Sequence, residues 1–220
     1  MSQIVSDMVF RTDGSRRICY MILPGGFDGE VSAYLEKAAH AYGVTMVTLA
    51  CGDWNDDMTP WPAPGVFRKA KPFGGNAEEF LQELVTERIP SIEAELGVED
   101  AQRTLAGISL SGLFAVWSSF RTAMFDSVVS ISGSLWYDSF VEWMSEQEGP
   151  SGVVKACLVL GDREKNSKEN RMASVEDRTV RAVEILRSKG VETGFILDSG
   201  THFSPVAPRL EAAFAYIWKN

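Results

Sequence analysis

The chain contains few histidines, few cysteines and no long apolar run. Among its 220 residues are three cysteines and two histidines, His40 and His202. Cys19, Cys51 and Cys157 lack the paired spacing of a CxxC motif or a zinc site. Each lies in or beside an apolar segment, which is typical of buried, reduced thiols in a cytoplasmic protein. Any imidazole that acts as a general base must therefore belong to one of only two residues.

The composition argues against membranes and nucleic acids as partners. No run approaches the roughly 18 apolar residues that a membrane-spanning helix requires. Residues 1–20 carry charged side chains where a secretory signal would have an apolar core. The formal net charge of −9 would repel the phosphates of a nucleic acid. We therefore expect a cytoplasmic protein that binds neither membrane nor nucleic acid; the sequence carries no signal for its oligomeric state.

Strand-like and helix-like segments alternate along the chain. Strand-like apolar runs occupy residues 17–23, 44–49, 104–108, 127–131, 153–160 and 193–197. Apolar residues recur at helical spacing in residues 31–42, 77–96, 175–188 and 206–217. Residues 8–11 and 17–23 flank the turn-forming sequence Thr-Asp-Gly-Ser, which predicts a hairpin. The alternation predicts one α/β domain over residues 1–220, in which helices cover both faces of a mostly parallel sheet. The absence of a large insertion between the strands predicts that there is no lid domain.

The most informative motif is Gly-Ile-Ser-Leu-Ser-Gly at residues 107–112. A serine at a sharp strand-to-helix turn is typical of a nucleophile elbow, and here the serine is Ser109. The turn exposes the hydroxyl and directs the N–H of Leu110 toward an oxygen bound beside it. Gly107 allows the strand and helix to approach closely, whereas Ser111 stands where the motif has glycine. The motif is short, so its interpretation depends on partners elsewhere in the chain.

A general base and an acid are available at the same predicted edge of the sheet. His202 follows the last predicted strand, and the carboxyl ends of parallel strands share one edge with Ser109. His40 lies on a predicted helix among alanines and reads as a surface histidine. The acid that orients the imidazole should follow residues 153–160, where Glu164 and Asp162 both stand. We favour Glu164 over Asp162.

A third carboxylate, Asp198, ranks below these two as a candidate acid. The order serine, acid, histidine along the chain is that of α/β-hydrolases.

The second donor to an oxyanion is expected from the loop that follows the strand ending at Leu23. This loop begins Pro-Gly-Gly-Phe, and its paired glycines let the backbone approach a ligand closely. The N–H of Gly26 or of Phe27 is therefore the candidate donor beside that of Leu110.

Residues 52–75 fit neither a strand nor a helix. They contain four prolines together with Trp54 and Trp61. A stretch of this length is usually functional or disordered, and its aromatic side chains favour order because they bring apolar area that can be buried. We expect an ordered loop that forms one wall of a cleft, with Trp54 and Trp61 as candidate substrate contacts.

The sequence offers no site for a metal or a nucleotide. Asp53, Asn55 and Asp57 resemble the start of a calcium loop, but Met58 replaces its turn glycine and Pro64 occupies the position of its bidentate glutamate. The glycine-rich stretches lack the patterns of phosphate-binding loops. We therefore expect no metal and no cofactor.

Four stretches together are similar to those of one enzyme family. They are the elbow at residues 105–115, the helix segments 80–84 and 89–93, the sequence Ser-Ile-Ser-Gly-Ser-Leu-Trp-Tyr at 130–137, and Gly-Thr-His-Phe at 200–203. On these stretches the chain, from about residue 17 onward, resembles the putative esterase family of α/β-hydrolases. That group contains esterase D, enterochelin (siderophore) esterases, feruloyl esterases and mycolyltransferases.

The resemblance implies an α/β-hydrolase fold, with Ser109 as nucleophile and His202 as base. It indicates the acid only loosely, because some siderophore esterases work with a serine–histidine pair. Trp136, in the third stretch, is either a wall of the substrate pocket or a core aromatic. The expected activity is hydrolysis of a siderophore-like or other small carboxylic ester through an acyl-enzyme. The alternatives are an acyltransferase and a catalytically silent binding protein of the same fold.

Overall fold

The computed structural model describes residues 8–23, 29–67 and 69–219, and within them seven strands form one sheet. The strands are β1 (Val9–Phe10), β2 (Arg17–Ile22), β3 (Thr45–Leu49), β4 (Gln102–Ile108), β5 (Ser127–Ile131), β6 (Lys155–Gly161) and β7 (Glu192–Asp198). Their order in the sheet is β1-β3-β2-β4-β5-β6-β7. The pairings from β3 to β7 are all parallel, and only the pairing of β1 with β3 is antiparallel. The expected mostly parallel sheet is therefore present.

Helices cover both faces of this sheet. They are α1 (Gly29–Tyr42), α2 (Trp54–Asp57), α3 (Ala77–Glu83), α4 (Ile89–Leu96), α5 (Leu110–Ser118), α6 (Phe140–Glu146), α7 (Asn170–Ala173), α8 (Val175–Ser188) and α9 (Ala207–Trp218). A π-helical turn over Leu84–Arg88 joins α3 to α4, and a 3₁₀ turn over Glu164–Asn166 follows β6. Of the helices in the described residues, none is both long enough and apolar enough to cross a membrane.

The two faces have separate apolar clusters because successive side chains of a strand point to opposite sides. In β2, Ile18, Tyr20 and Ile22 belong to the cluster under α3 to α6 and α8. Cys19 and Met21 belong to the cluster under α1 and α9. All five side chains are fully buried. The alternation fixes which residues face each layer.

The predicted hairpin is wrong. The strand β1 pairs with β3, with Val9 opposite Val47 and Phe10 opposite Met46. Both edges of β2 are occupied by parallel pairings with β3 and β4, so β1 cannot pair with β2 and joins the sheet at the outer edge of β3. A turn does form between the two strands, where the N–H of Ser15 donates to the carbonyl of Thr12 at 3.2 Å. It carries the chain past β3 to the centre of the sheet.

The proline-containing segment is ordered over its described residues, 52–67 and 69–75, and the prediction that it contains no helix is wrong, because Trp54–Asp57 form α2. Ala63 and Phe73 form an isolated antiparallel bridge, with N···O distances of 3.2 and 2.9 Å. The indole N–H of Trp61 donates to the carbonyl of Asp138 at 3.0 Å, and the Tyr137 hydroxyl donates to the carbonyl of Trp61. The segment is thus packed against the residues that follow β5, at the carboxyl side of the sheet.

Candidate active site

Ser109 stands at a strained turn between β4 and α5. Its backbone has φ 59° and ψ −118°, a conformation that residues with a side chain rarely adopt and that costs about 1–3 kcal/mol. A Cβ on Gly107 would lie 2.2 Å from the carbonyl oxygen of Ser111, and a Cβ on Gly112 would lie 2.8 Å from Ser130 Oγ. The turn therefore requires both glycines, as in a nucleophile elbow.

Ser111, which departs from the elbow motif, has a fully buried side chain with partners on two strands. Its hydroxyl accepts from the N–H of Ile108 at 2.8 Å. The same oxygen lies 2.8 Å from the carbonyl oxygen of Ile22 and 3.0 Å from that of Ile108, one of which accepts its proton. The serine is accommodated because the polar contacts of its buried hydroxyl join the end of β2 to the elbow.

Three predicted side chains meet in one hydrogen-bonded chain. Ser109 Oγ lies 3.2 Å from His202 Nε2, and His202 Nδ1 lies 2.8 Å from Glu164 Oε2. Asp162 is not part of it, since its Oδ1 accepts from the N–H of Gly200 at 2.8 Å and its side chain is half exposed. Of the two favoured carboxylates, Glu164 is therefore the one placed against the imidazole, and Asp162 holds the loop that carries the histidine.

The Glu164 carboxylate is almost fully buried, and donors surround its other oxygen. Oε1 accepts from Ser132 Oγ at 2.7 Å and from the N–H of Gly161 at 2.8 Å. It also lies 3.1 Å from Arg209 Nη1. Burial acts to raise the pKa of Glu164. The hydrogen bonds from His202, Gly161 and Ser132 outweigh it and hold that pKa below its ordinary value. The carboxylate is thus ionised when it contacts the imidazole.

Two residues of this network were missed in the sequence. Ser132 adopts φ 48° just beyond β5, and Arg209 lies in the first turn of α9 with 1% of its surface exposed. Arg209 Nη1 donates to Ser132 Oγ at 2.8 Å. The sequence offered one signal for Arg209, which is a single arginine within the apolar stripe of the helix that follows the His202 loop.

The predicted oxyanion donors are only partly described. Leu110 is the first residue of α5, and the first N–H groups of a helix have no partner within the helix. Gly26 and Phe27 lie outside the described residues. Ser134 is a further neighbour of the nucleophile, with its Oγ 3.4 Å from Ser109 Oγ and its N–H donating to the carbonyl of Ser109 at 2.9 Å.

The predicted tryptophans have different positions. Trp136 is nearly buried and lines a narrow cleft together with His202 and Glu164. Trp61 packs in an aromatic cluster with Tyr137, Phe140 and Trp143. Trp54 is the first residue of α2 and packs, partly buried, against the core. Of the three, Trp136 is the one brought to the Ser109–His202–Glu164 chain.

A cavity of about 480 Å³ opens beside His202. Its apolar lining includes Val31, Pro205, Val206 and Phe203. The Phe203 ring meets the imidazole of His202 edge-on, with centroids 5.3 Å apart, and the residue is 90% exposed. The cavity can therefore hold an apolar group next to the imidazole.

The family model described as "Putative esterase" matches residues 26–201 of the chain. The chain belongs to this esterase family. The recognition of the family from the sequence is confirmed.

Individual relatives are more distant. The chain is 29% identical over 138 residues to the uncharacterized protein YbbA of Bacillus subtilis (strain 168), a match that covers 61% of this chain and 55% of that protein. The chain thus spans little more than half the length of this curated relative.

Solved structures share the fold. An IroE-like serine hydrolase from Shewanella oneidensis aligns with a TM-score of 0.74 at 18% identity, covering 97% of this chain and 75% of the other. The siderophore hydrolase EstA from Aspergillus nidulans aligns with a TM-score of 0.63 at 20% identity, covering 92% and 82%. The expected α/β-hydrolase fold is confirmed, and the described residues contain no large lid.

Proposed function

We propose that the protein is a serine hydrolase that cleaves a carboxylic ester through an acyl-enzyme on Ser109. The observation that carries the proposal is the unbroken chain from Ser109 Oγ through His202 to the ionised Glu164, with contacts of 3.2 and 2.8 Å. A serine hydroxyl becomes nucleophilic when a positioned base accepts its proton, and a carboxylate fixes the tautomer of that base.

The steps follow from these contacts. His202 Nε2 takes the proton of Ser109 as the oxygen attacks the ester carbonyl, and Glu164 stabilises the resulting imidazolium. The N–H of Leu110 is one donor to the oxyanion, and Gly26 or Phe27 is the expected second. His202 then protonates the leaving alcohol. Water, deprotonated by His202, releases the acid and restores Ser109.

The substrate is proposed to be a small-molecule ester with an apolar or aromatic alcohol part. Because His202 protonates the leaving oxygen, the alcohol must lie against the imidazole, where the cavity lined by Phe203 and Val206 opens. A siderophore-like ester is one candidate, since structural neighbours include proteins named siderophore hydrolases. The proposed reaction uses no cofactor.

The direct test is covalent labelling with a fluorophosphonate, followed by mass spectrometry of the intact protein. Wild type and the Ser91→Ala control, which removes an exposed serine on α4, should each gain one label. Ser109→Ala should gain none. A folded wild type that stays unlabelled, or a Ser109→Ala variant that labels equally, contradicts the proposal.

A panel of short aryl esters separates the remaining alternatives. Ser109-dependent turnover to the free acid supports hydrolysis. Turnover that instead gives a new ester when an alcohol is added identifies an acyltransferase. Absence of Ser109-dependent turnover across the panel identifies a binding protein.

A further inference from the structure

Arg209 holds the carboxylate of Glu164 from the side opposite His202. Its Nη1 lies 2.8 Å from Ser132 Oγ and 3.1 Å from Glu164 Oε1. The side chains of Arg209 and Glu164 are 1% and 3% exposed. An arginine is rarely buried this fully unless it is paired, and its planar fork fixes the direction of each bond that it donates.

The same guanidinium also anchors the loop that carries the histidine. Its Nη2 donates to the carbonyl of Thr201 at 2.9 Å, one residue before His202. Two glycines make room for it, because a Cβ on Gly161 would lie 2.5 Å from Nη2 and one on Gly200 would lie 3.0 Å from it. The backbone at the ends of β6 and β7 therefore passes close to the guanidinium of Arg209, and a side chain at either glycine would collide with it.

A second carboxylate balances the charge of Arg209. Asp198, the last residue of β7, has its Oδ2 3.4 Å from Arg209 Nε. A row of alternating charges therefore leads away from the imidazole of His202: Glu164 is negative, Arg209 is positive and Asp198 is negative. The arginine weakens the attraction of Glu164 for a protonated His202, and Asp198 restores part of it.

We propose that Arg209 is a positioning residue of this site. Its guanidinium holds the Glu164 carboxylate and the His202 loop in one register, and its charge, balanced by Asp198, sets how strongly a proton on His202 is stabilised. The kinetic consequence rests on the proposed function, whereas the effect on the protonation of His202 does not.

Other charged groups face this region and must stay unchanged in the test. Glu30 on α1 lines the same cavity as His202. Asp162 and Arg163 stand in the turn after β6, where they pair at 3.8 Å and are half exposed. They are more solvated than Arg209, so their effect on the imidazole is more strongly screened.

The experiment is an NMR titration of the histidine Cε1–H signals, which needs no substrate. The chain has only His40 and His202, so two signals are expected, and His40→Gln assigns them. His40 is exposed on α1 and serves as the internal control. The variants are Arg209→Met, which removes the charge, Arg209→Lys, which keeps it, and Asp198→Asn.

The two charge-removing variants should shift the His202 titration in opposite directions. Arg209→Met removes a positive charge, so its midpoint should rise by about 0.5–1 pH unit. Asp198→Asn removes a negative charge, so its midpoint should fall by about 0.3 unit. The midpoint of Arg209→Lys should stay within about 0.1 unit of wild type because the charge is kept, and that of His40 should not move.

Unchanged His202 midpoints in folded Arg209→Met and Asp198→Asn, or shifts of the same sign, overturn the proposal. If Arg209→Met does not fold, Asp198→Asn decides alone, because that side chain is 30% exposed and its removal is milder.

Activity adds an independent arm. For an aryl ester, kcat of Arg209→Lys should fall about 10-fold with little change in KM, since a single ammonium cannot replace the fork that holds both Glu164 and Thr201. The acidic limb of its pH profile should match wild type. A wild type without Ser109-dependent turnover counts against the proposed function, while the titration still tests Arg209.

Discussion

The Oγ of Ser111 lies 2.8 Å from the carbonyl oxygen of Ile22, which joins the first turn of α5 to the end of β2. The same hydroxyl accepts from the N–H of Ile108, so it satisfies backbone groups on two neighbouring strands. Residue 111 is where the elbow motif has glycine, and the hydroxymethyl group is fully buried there. The departure from the motif is thus a structural contact between the strand that leads to the predicted oxyanion loop and the strand that leads to Ser109.

Removing this contact should destabilise the protein. Ser111→Ala leaves the N–H of Ile108 and a carbonyl without a partner in a buried place, which should lower the free energy of unfolding by about 1–3 kcal/mol. Urea unfolding with an unchanged m-value measures the loss. The matched control is Ser118→Ala, whose buried hydroxyl donates to the carbonyl of Ala115 within α5 at 3.0 Å. An equal loss in the two variants would contradict the role of Ser111.

Glu164 and Asp162 should differ sharply in their kinetic effects. Glu164→Gln keeps the shape of the side chain but removes the charge that stabilises the imidazolium, so kcat should fall by about 100- to 10,000-fold. Asp162→Asn keeps an oxygen that can accept from the N–H of Gly200, so kcat should fall by less than about 10-fold. Steady-state hydrolysis of an aryl ester checks both. A mild effect of Glu164→Gln would mean that Ser109 and His202 work as a pair.

The stability of the protein should depend on pH through Glu164. Its pKa is held low in the folded state, by hydrogen bonds that overcome burial, so unfolding takes up a proton as the pH falls. The stabilisation is present above the carboxyl pKa of the unfolded chain, about 4.3, and is lost as the pH falls through the lower folded value. Wild type should therefore lose more stability between pH 6 and pH 3 than Glu164→Gln does, as measured by urea unfolding.

The control for this pH dependence is Glu142→Gln. Glu142 is also held at a low pKa, mainly by its hydrogen bond with Arg178, but the pair is exposed. Water screens such pairs, so Glu142→Gln should retain nearly the full pH dependence of wild type. Parallel pH curves for wild type and Glu164→Gln would show that Glu164 does not contribute.

Phe203 should affect substrate affinity and leave stability unchanged. It is 90% exposed and lines the cavity beside His202, so Phe203→Ala removes apolar contact with a bound alcohol part. For esters of aromatic alcohols, KM should rise about 3- to 10-fold, with little change for methyl esters. Val154→Ala, which removes an exposed apolar side chain just before the amino end of β6, is the control. A KM that is equally insensitive to both changes would place the alcohol elsewhere.

Local patterns in the sequence were sufficient for most of the fold. The helix predicted over residues 175–188 is α8 as observed, and the strand predicted over 127–131 is β5. Such elements can be predicted from sequence because the spacing of their apolar residues repeats within a short stretch of chain. The hairpin failed because the pairing of β1 depends on which edges of β2 are already occupied, and that is decided by strands far along the chain.

By itself the sequence determined the family, the alternation of strands and helices, and the elbow at Ser109, because glycine spacing and apolar periodicity act over a few residues. Tertiary structure decided which groups meet. His202 reaches Ser109 across 93 residues, and Arg209 reaches Ser132 across 77. Such contacts depend on how the strand ends converge at one edge of the sheet. No local pattern records that convergence, so the buried arginine behind Glu164 became visible only in the folded chain.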